Sequence, residues 1–221
     1  MKKILVIAPH PDDEILGCGG VMIKNAKAGN EVYVCIVTKG TLAMFPPDRV
    51  EATRQAARDC HRTIGVVETI FLDFPAVCLE ECHRYEINDA ILKVIRRILP
   101  DEVYIPHYGD MQKDHQIVAE ACMVAVRPKY FPQIRKVLSY ETMSETAWNA
   151  PSVQNEFIPN VFEDISDCLE DKKKALAFFK TQIADFPDSR SMGAIEALAK
   201  YRGALMHLNA CEAFMLIREI R

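Results

Sequence analysis

A chain of 221 residues with 49% hydrophobic and 26% charged side chains has the make-up of a globular domain and the length for one full core. Its formal net charge of -4 gives no support for a nucleic-acid partner, and the one basic run, Lys172-Lys173-Lys174, falls in a helical pattern and reads as a solvated face. No apolar stretch approaches the length of a membrane span.

Met1-Lys2-Lys3 and the short apolar run after it lead straight into a charged turn, so Lys3 to Ala8 reads as a buried first strand rather than a signal peptide. Ile15 to Ala28 reads as a helix ended by Gly29-Asn30, and Glu31 to Val37 as a second strand. Beyond Pro46-Pro47, Asp48 is expected to cap a helix running to about Thr63, with Gly65 stopping it. Val67 to Leu72 is a third strand, Tyr85 to Leu99 a helix ending at Pro100, and Glu102 to Ile105 a fourth strand. A loop, Pro106 to Lys113, leads into a helix from Asp114 to Val126. The remainder holds strands near Ile134 to Tyr140 and Phe157 to Ile165, two helices, and a last alternating run, Glu212 to Ile220. Strand and helix alternate through the first half, which predicts an α/β, Rossmann-like three-layer fold with a mainly parallel sheet. No repeat, low-complexity stretch or linker breaks the sequence, so residues 1–221 are expected to form a single domain. Eight cysteines without an export signal point to reduced thiols in a cytoplasm, and the spacing of Cys78, Cys82 and His83 matches no standard zinc module.

Ala8-Pro9-His10-Pro11-Asp12-Asp13-Glu14 places an imidazole and three carboxylates directly after the first strand. Such a density of acid groups calls for a cation to gather it, although a solvated turn opening a helix with acids in its first turn is the plain alternative. The second loop, His107-Tyr108-Gly109-Asp110-Met111-Gln112-Lys113-Asp114-His115, repeats the pattern after the fourth strand. In parallel sheets, ligands bind beyond the carboxyl ends of the strands, where both loops lie. Each loop alone is ambiguous. Together they can supply three ligands with an open fourth position, as a catalytic zinc requires. His10 and Asp13 can both point inward from a loop entering a helix, with Asp12 between them facing elsewhere and His115 completing the set.

The HPDDE turn, the following Leu16-Gly17-Cys18-Gly19-Gly20 and the later Asp114-His115 resemble the PIG-L/LmbE family of zinc-dependent N-deacetylases. The resemblance covers the whole chain: Phe71-Leu72-Asp73-Phe74-Pro75, Gly109-Asp110, Arg127-Pro128, Ser139-Tyr140-Glu141-Thr142, Pro159-Asn160-Val161-Phe162, Arg190-Ser191 and Glu212-Ala213-Phe214 look like its bacterial sugar-deacetylase branch. It implies Zn2+ on His10, Asp13 and His115, with Asp12 as the general base that takes a proton from the attacking water. Asp12 would then return a proton to the departing amine. Many members carry His-x-Asp-His in the second loop, where this chain has Gln112 in place of the first His. Either Gln112 acts as a polarising donor or His107 swings into the role. Asp114 is expected to orient one imidazole, and Asp110 does likewise or caps the loop.

Arg54 is expected near the substrate from the resemblance; as a plain surface helix residue it has equal standing with Arg49 and Arg58. Tyr140, Glu141, Asn160 and Arg190 are candidates to line a sugar pocket, Arg190 equally a structural ion-pair partner. Trp148 is a stacking platform or a loop anchor. Gly17, Gly19 and Gly20 do not have phosphate-loop spacing and read as sites of close helix-to-strand packing. His61, His83 and His207 read as surface or packing histidines, and Glu14 as a helix-start residue or a support for the site. The resulting expectation is a cytoplasmic hydrolase removing acetyl from an N-acetylated amino sugar or its conjugate: a glycan, nucleotide-sugar or natural-product intermediate. An amidase on a thiol-conjugate or antibiotic amide, or a non-catalytic zinc- and sugar-binding protein, are the alternatives. Iron(II) or cobalt suits the same ligand set. The resemblance also allows a homo-oligomer, a trimer or hexamer, which nothing in the sequence decides.

Overall fold

Strand β1, Lys3–Ala8, is apolar from Ile4 onward because helices cover both of its faces. Ile4, Val6 and Ala8 join one buried cluster while Leu5 and Ile7 join another on the opposite side. The computed structural model describes residues 1–221. After β1 the chain forms α1 (Asp13–Lys27), β2 (Glu31–Lys39), α2 (Pro47–Thr63), β3 (Glu68–Pro75), a 3-10 turn at Leu79–Glu81, α3 (Arg84–Ile98), β4 (Glu102–Pro106) and α4 (Lys113–Ala125). The second half adds β5 (Lys136–Tyr140), a short α5 (Met143–Thr146), β6 (Val161–Asp164), α6 (Leu169–Leu176), α7 (Met192–Ala204) and β7 (Cys211–Glu219).

One seven-stranded sheet runs β3-β2-β1-β4-β5-β7-β6. The first five strands are parallel, and β7 pairs antiparallel with both β5 and β6. Residues of α1, α2, α6 and α7 pack in the cluster on one face, those of α3 and α4 in the cluster on the other. The expected three-layer α/β fold with a mainly parallel sheet is therefore the observed one.

Several local expectations shift. Helix α1 starts at Asp13, two residues before Ile15, because the Asp12 carbonyl already accepts the N–H groups of Ile15 and Leu16. Asp48 does not cap α2; Pro46 precedes the helix and Pro47 takes its first position, where a missing N–H costs nothing. Lys172 leaves the predicted solvated face. It is buried, its ammonium donating to the Leu16 carbonyl (2.8 Å) and to Glu212 (2.6 Å). The Glu212 carboxylate also accepts the Gly20 and Val21 N–H groups at 2.7 and 2.8 Å, so this pair is saturated with hydrogen bonds and pins α1 to α6 and β7. The glycines make that closeness possible. A Cβ on Gly17 would stand 2.2 Å from the Tyr140 ring, and one on Gly20 would stand 2.7 Å from Ile165.

Candidate active site

Between β1 and β4 the strand order reverses, since β2 and β3 lie to one side of β1 and β4 and β5 to the other. The loops leaving these two neighbours diverge and open a crevice at the carboxyl edge of the sheet. His10 to Asp13 occupies one lip, and His107 to His115 the other.

His10 Nδ1 lies 3.1 Å from Asp13 Oδ2, and His115 Nε2 lies 3.2 Å from the same oxygen. Each imidazole carries a carboxylate on its other nitrogen: Asp114 stands 2.9 Å from His10 Nε2, and Asp110 stands 2.8 Å from His115 Nδ1. Asp114 is itself fixed by the N–H groups of Val77 (2.7 Å) and Leu79 (3.3 Å), and Asp110 by the Thr146 hydroxyl (2.6 Å). Both acids thus stand on the far nitrogens of the two imidazoles, an arrangement that recurs behind metal-binding histidines. The ligand-capable atoms of His10, Asp13 and His115 converge within 4.8 Å of one another. Two of the buried polar atoms there, Asp13 Oδ1 and His115 Nε2, have no hydrogen-bond partner. Buried polar atoms are rarely left so, and two imidazoles with one carboxylate form a donor set that fits a divalent cation. Burial alone pushes both imidazoles down, but hydrogen bonds and charge from Asp114 and Asp13 raise His10 to about 9. Asp13 and Asp110 likewise raise His115 to about 10. Burial pushes the Asp13 carboxyl up, and the two imidazoles more than reverse this, holding it well below the usual carboxylate range.

Asp12 sits beside this cluster in a left-handed conformation, φ 117°, at the start of α1. For a residue other than glycine that geometry costs about 1–3 kcal/mol and persists only where neighbours enforce it. One neighbour that restrains it is Glu14, whose carboxylate accepts the Asp12 N–H at 3.1 Å and meets His61 Nε2 at 2.9 Å. His61 Nδ1 in turn lies 2.8 Å from the Thr69 hydroxyl. His61 therefore has an acidic partner that its surroundings in sequence do not show, and Glu14 acts on the site through the backbone. Arg190 donates to Asp12 Oδ2 at 3.0 Å and to the Ser144 hydroxyl at 2.9 Å. Burial pushes the Asp12 carboxyl up to about 8 even though the Arg190 guanidinium pulls it down.

A cavity of about 190 Å³ opens over this cluster, lined among others by His10, Asp12, Thr38, Gln112, Glu145 and Arg190. Gln112, at the residue preceding α4, reaches the cavity with its Oε1 buried and unpartnered. Arg54 also lines it, stacked 4.2 Å over the Phe71 ring and ion-paired with Asp73. Glu145 lines it as well, from a segment with no motif to mark it; burial raises its carboxyl, and its Oε2 lacks a partner.

Other expected contacts lie elsewhere. His107 turns away from the cavity, 3.0 Å from the Asn155 carbonyl and edge-on to Phe157. Gly109 allows that packing, since a Cβ there would meet the Asn155 backbone at 2.4 Å. Tyr140 is fully buried under α1 and donates to the Ile7 carbonyl at 3.0 Å. Glu141 is held by Arg202 in a two-pronged ion pair (2.9 and 2.7 Å). Asn160 accepts the Leu216 N–H at 2.7 Å and pins the β6–β7 edge. Trp148 is exposed and absent from the cavity wall.

An α/β protein whose sheet crevice brings together two carboxylate-backed histidines, an aspartate and a second, arginine-paired aspartate belongs among hydrolytic metalloenzymes. Residues 5–126 match the family described as PIG-L: GlcNAc-PI de-N-acetylase, and the chain belongs to that family. It is 30% identical over 174 residues to the "uncharacterized deacetylase YaiS" of Escherichia coli (strain K12), covering 75% of this chain and 83% of that one. It is 26% identical over 202 residues to the diacetylchitobiose deacetylase of Thermococcus kodakarensis, covering 85% and 72%. The solved N,N'-diacetylchitobiose deacetylase of Pyrococcus horikoshii superposes with a TM-score of 0.78 at 22% identity, over 98% of this chain and 84% of that one, and shares the fold. No helix is long and apolar enough to cross a membrane.

Proposed function

We propose that residues 1–221 act as one zinc-dependent N-deacetylase domain, hydrolysing the acetamide of an N-acetylated amino sugar or sugar conjugate. The carrying observation is the convergence of His10, Asp13 and His115 with two orphaned ligand atoms, beside an acid that is not part of the set. His10, Asp13 and His115 would hold the ion, which when bound supplies Lewis acidity and an acidified water. Asp12 accepts the proton of the attacking water and returns one to the departing amine. Arg190 orients the Asp12 carboxylate, and Glu14 fixes its backbone. Gln112 offers its amide N–H groups to the acetyl oxygen; His107 takes no part, being held at Asn155. Arg54 meets the sugar or its substituent. The named activities of the relatives support a sugar substrate. Eight free cysteines support a cytoplasmic site of action. The trimer or hexamer implied by the family is carried with this reading, and light scattering on the purified chain tests it.

Zinc-loaded protein should release acetate from N-acetylglucosamine glycosides in preference to bulkier amides. Asp12→Asn should keep its zinc and lose about 100- to 10,000-fold in kcat, the usual worth of a general base. Stoichiometric zinc in His10→Ala, or undiminished turnover in Asp12→Asn, overturns the assignment.

A further inference from the structure

We infer that Thr146 is a positioning residue for the metal: acting through Asp110, it sets how His115 faces the ion and so how tightly the ion is held. This rests on the metal-dependent reading above and deepens it. His115 Nδ1 donates to Asp110 Oδ2 at 2.8 Å, which leaves Nε2 turned toward Asp13. The other carboxylate oxygen, Oδ1, receives one hydrogen bond, from the Thr146 hydroxyl at 2.6 Å. Two bonds on two oxygens fix the plane of the carboxylate, whereas with one bond rotation about its last torsion is open. The hydroxyl is itself fixed. Its oxygen accepts the Thr142 N–H at 2.8 Å, and its single proton goes to Asp110.

The two imidazoles are held differently. Behind His10, Asp114 is gripped by the main-chain N–H groups of Val77 and Leu79, which no change of side chain removes. Behind His115, the equivalent grip is a single hydroxyl from a segment 36 positions further along the chain. The sheet brings it there. β4 and β5 are parallel neighbours with Pro106 opposite Tyr140, so the chain leaving each strand emerges at the same point of the carboxyl edge. Asp110 follows β4, and Thr146 closes α5 after β5. The same segment holds the rest of the loop. The Glu145 carbonyl accepts the Met111 N–H at 3.1 Å, and the Asn149 amide donates to the Gly109 and Asp110 carbonyls at 2.9 and 3.2 Å. These contacts secure the main chain of the loop, so loss of the hydroxyl alone frees the carboxylate and not the loop.

The test is competition for zinc between the full chain and a chromophoric chelator, joined to melting curves of the zinc-free and zinc-loaded protein. Thr146→Val keeps the shape of the side chain and removes the proton. Its zinc Kd should rise about tenfold, the low end of what loss of support behind a ligating histidine costs. Thr146→Ser restores the hydroxyl and should bind within about twofold of the parent. Ser144→Ala, on the same helix but bonded to Arg190, should also stay within about twofold. Should the Val variant not fold, Thr146→Ala carries the same expectation. A Val variant within about twofold of the parent, or a Ser variant or Ser144→Ala as weak as Val, overturns the inference. So does a fall in Tm that is equal in both forms with an unmoved Kd, the mark of a merely structural role. A parent that binds no zinc overturns the deacetylase reading and this inference with it. Zinc held by the parent and held as tightly by the Thr146 variants overturns the inference alone.

Discussion

Glu14 should be as necessary as the residues it supports, and its replacement separates hydrogen-bond geometry from charge. Its carboxylate is fully buried, as is the His61 ring, and it alone accepts the Asp12 N–H among side chains. Glu14→Ala leaves that N–H and His61 Nε2 without partners. Each orphaned buried group costs about 1–3 kcal/mol, so the variant should lose about 4 kcal/mol in all. For a chain of this length that is a fall of roughly 8–16 °C in Tm by differential scanning calorimetry. The left-handed Asp12 backbone then loses its N–H restraint, keeping only the bonds of its carbonyl to Ile15 and Leu16 and of its carboxylate to Arg190, and shifts. Misplacing a catalytic acid by about 1 Å is worth on the order of 100-fold, so kcat should drop by that order while KM changes little. Glu14→Gln keeps both contacts: its amide oxygen accepts the Asp12 N–H and its amide donates to His61 Nε2, with the ring proton on Nδ1 facing Thr69. That variant should stay within about 1 kcal/mol of the parent and within a few-fold in kcat. An Ala variant with unchanged Tm and kcat would refute the reasoning. So would a Gln variant as damaged as Ala, which would mean that charge rather than the two hydrogen bonds does the holding.

Removing the metal should destabilise the fold. A ligand at a thousand times its Kd contributes about 4 kcal/mol, so excess chelator should lower Tm by roughly 8–16 °C, and His115→Ala should show no such response. An unchanged melting curve on chelation would sink the ligand assignment. Gly17→Ala gains about 1 kcal/mol of helix propensity but drives a Cβ to 2.2 Å from the Tyr140 ring and threatens its bond to Ile7; the net should be a loss of about 1–2 kcal/mol. A rise in Tm would show that α1 and β5 can separate without cost. The Glu196 carboxyl is held down at about 2 by Lys173 and Lys200, against an ordinary value of 4.5. The folded state therefore binds its proton later than the unfolded one, so its contribution is present above about 4.5 and is lost as pH falls toward 2. The Tm gap between the parent and Glu196→Gln should be open at pH 6 and close on acidification; a gap independent of pH contradicts this.

The first strand and the acidic turn after it were legible because burial on both faces demands an unbroken apolar run, and an imidazole with three carboxylates within five positions stands out locally. The same holds for Asp114-His115, a second dense loop at the same sheet edge. What could not be read is long in range. Arg190 reaches Asp12 across 178 positions, and His61 reaches Glu14 across 47. A lone arginine or histidine carries no local pattern that says which acid it will meet. Strand polarity misled in a definite way: Tyr140 ends its strand near the crevice, but side chains alternate between faces, and its ring goes under α1 against Gly17. Lys172 shows the converse, a member of a charged run that is buried because Glu212, forty positions on, gives it a partner. The reacting end of this site is assembled from contiguous loops and so is written locally. The rest of the cavity lining, including Lys39, Arg49, Arg54, Glu145 and Gln182, is assembled from four separate stretches of chain. Only the folded sheet brings those stretches to one cleft, so the lining of the cavity is visible in the structure and not in the sequence.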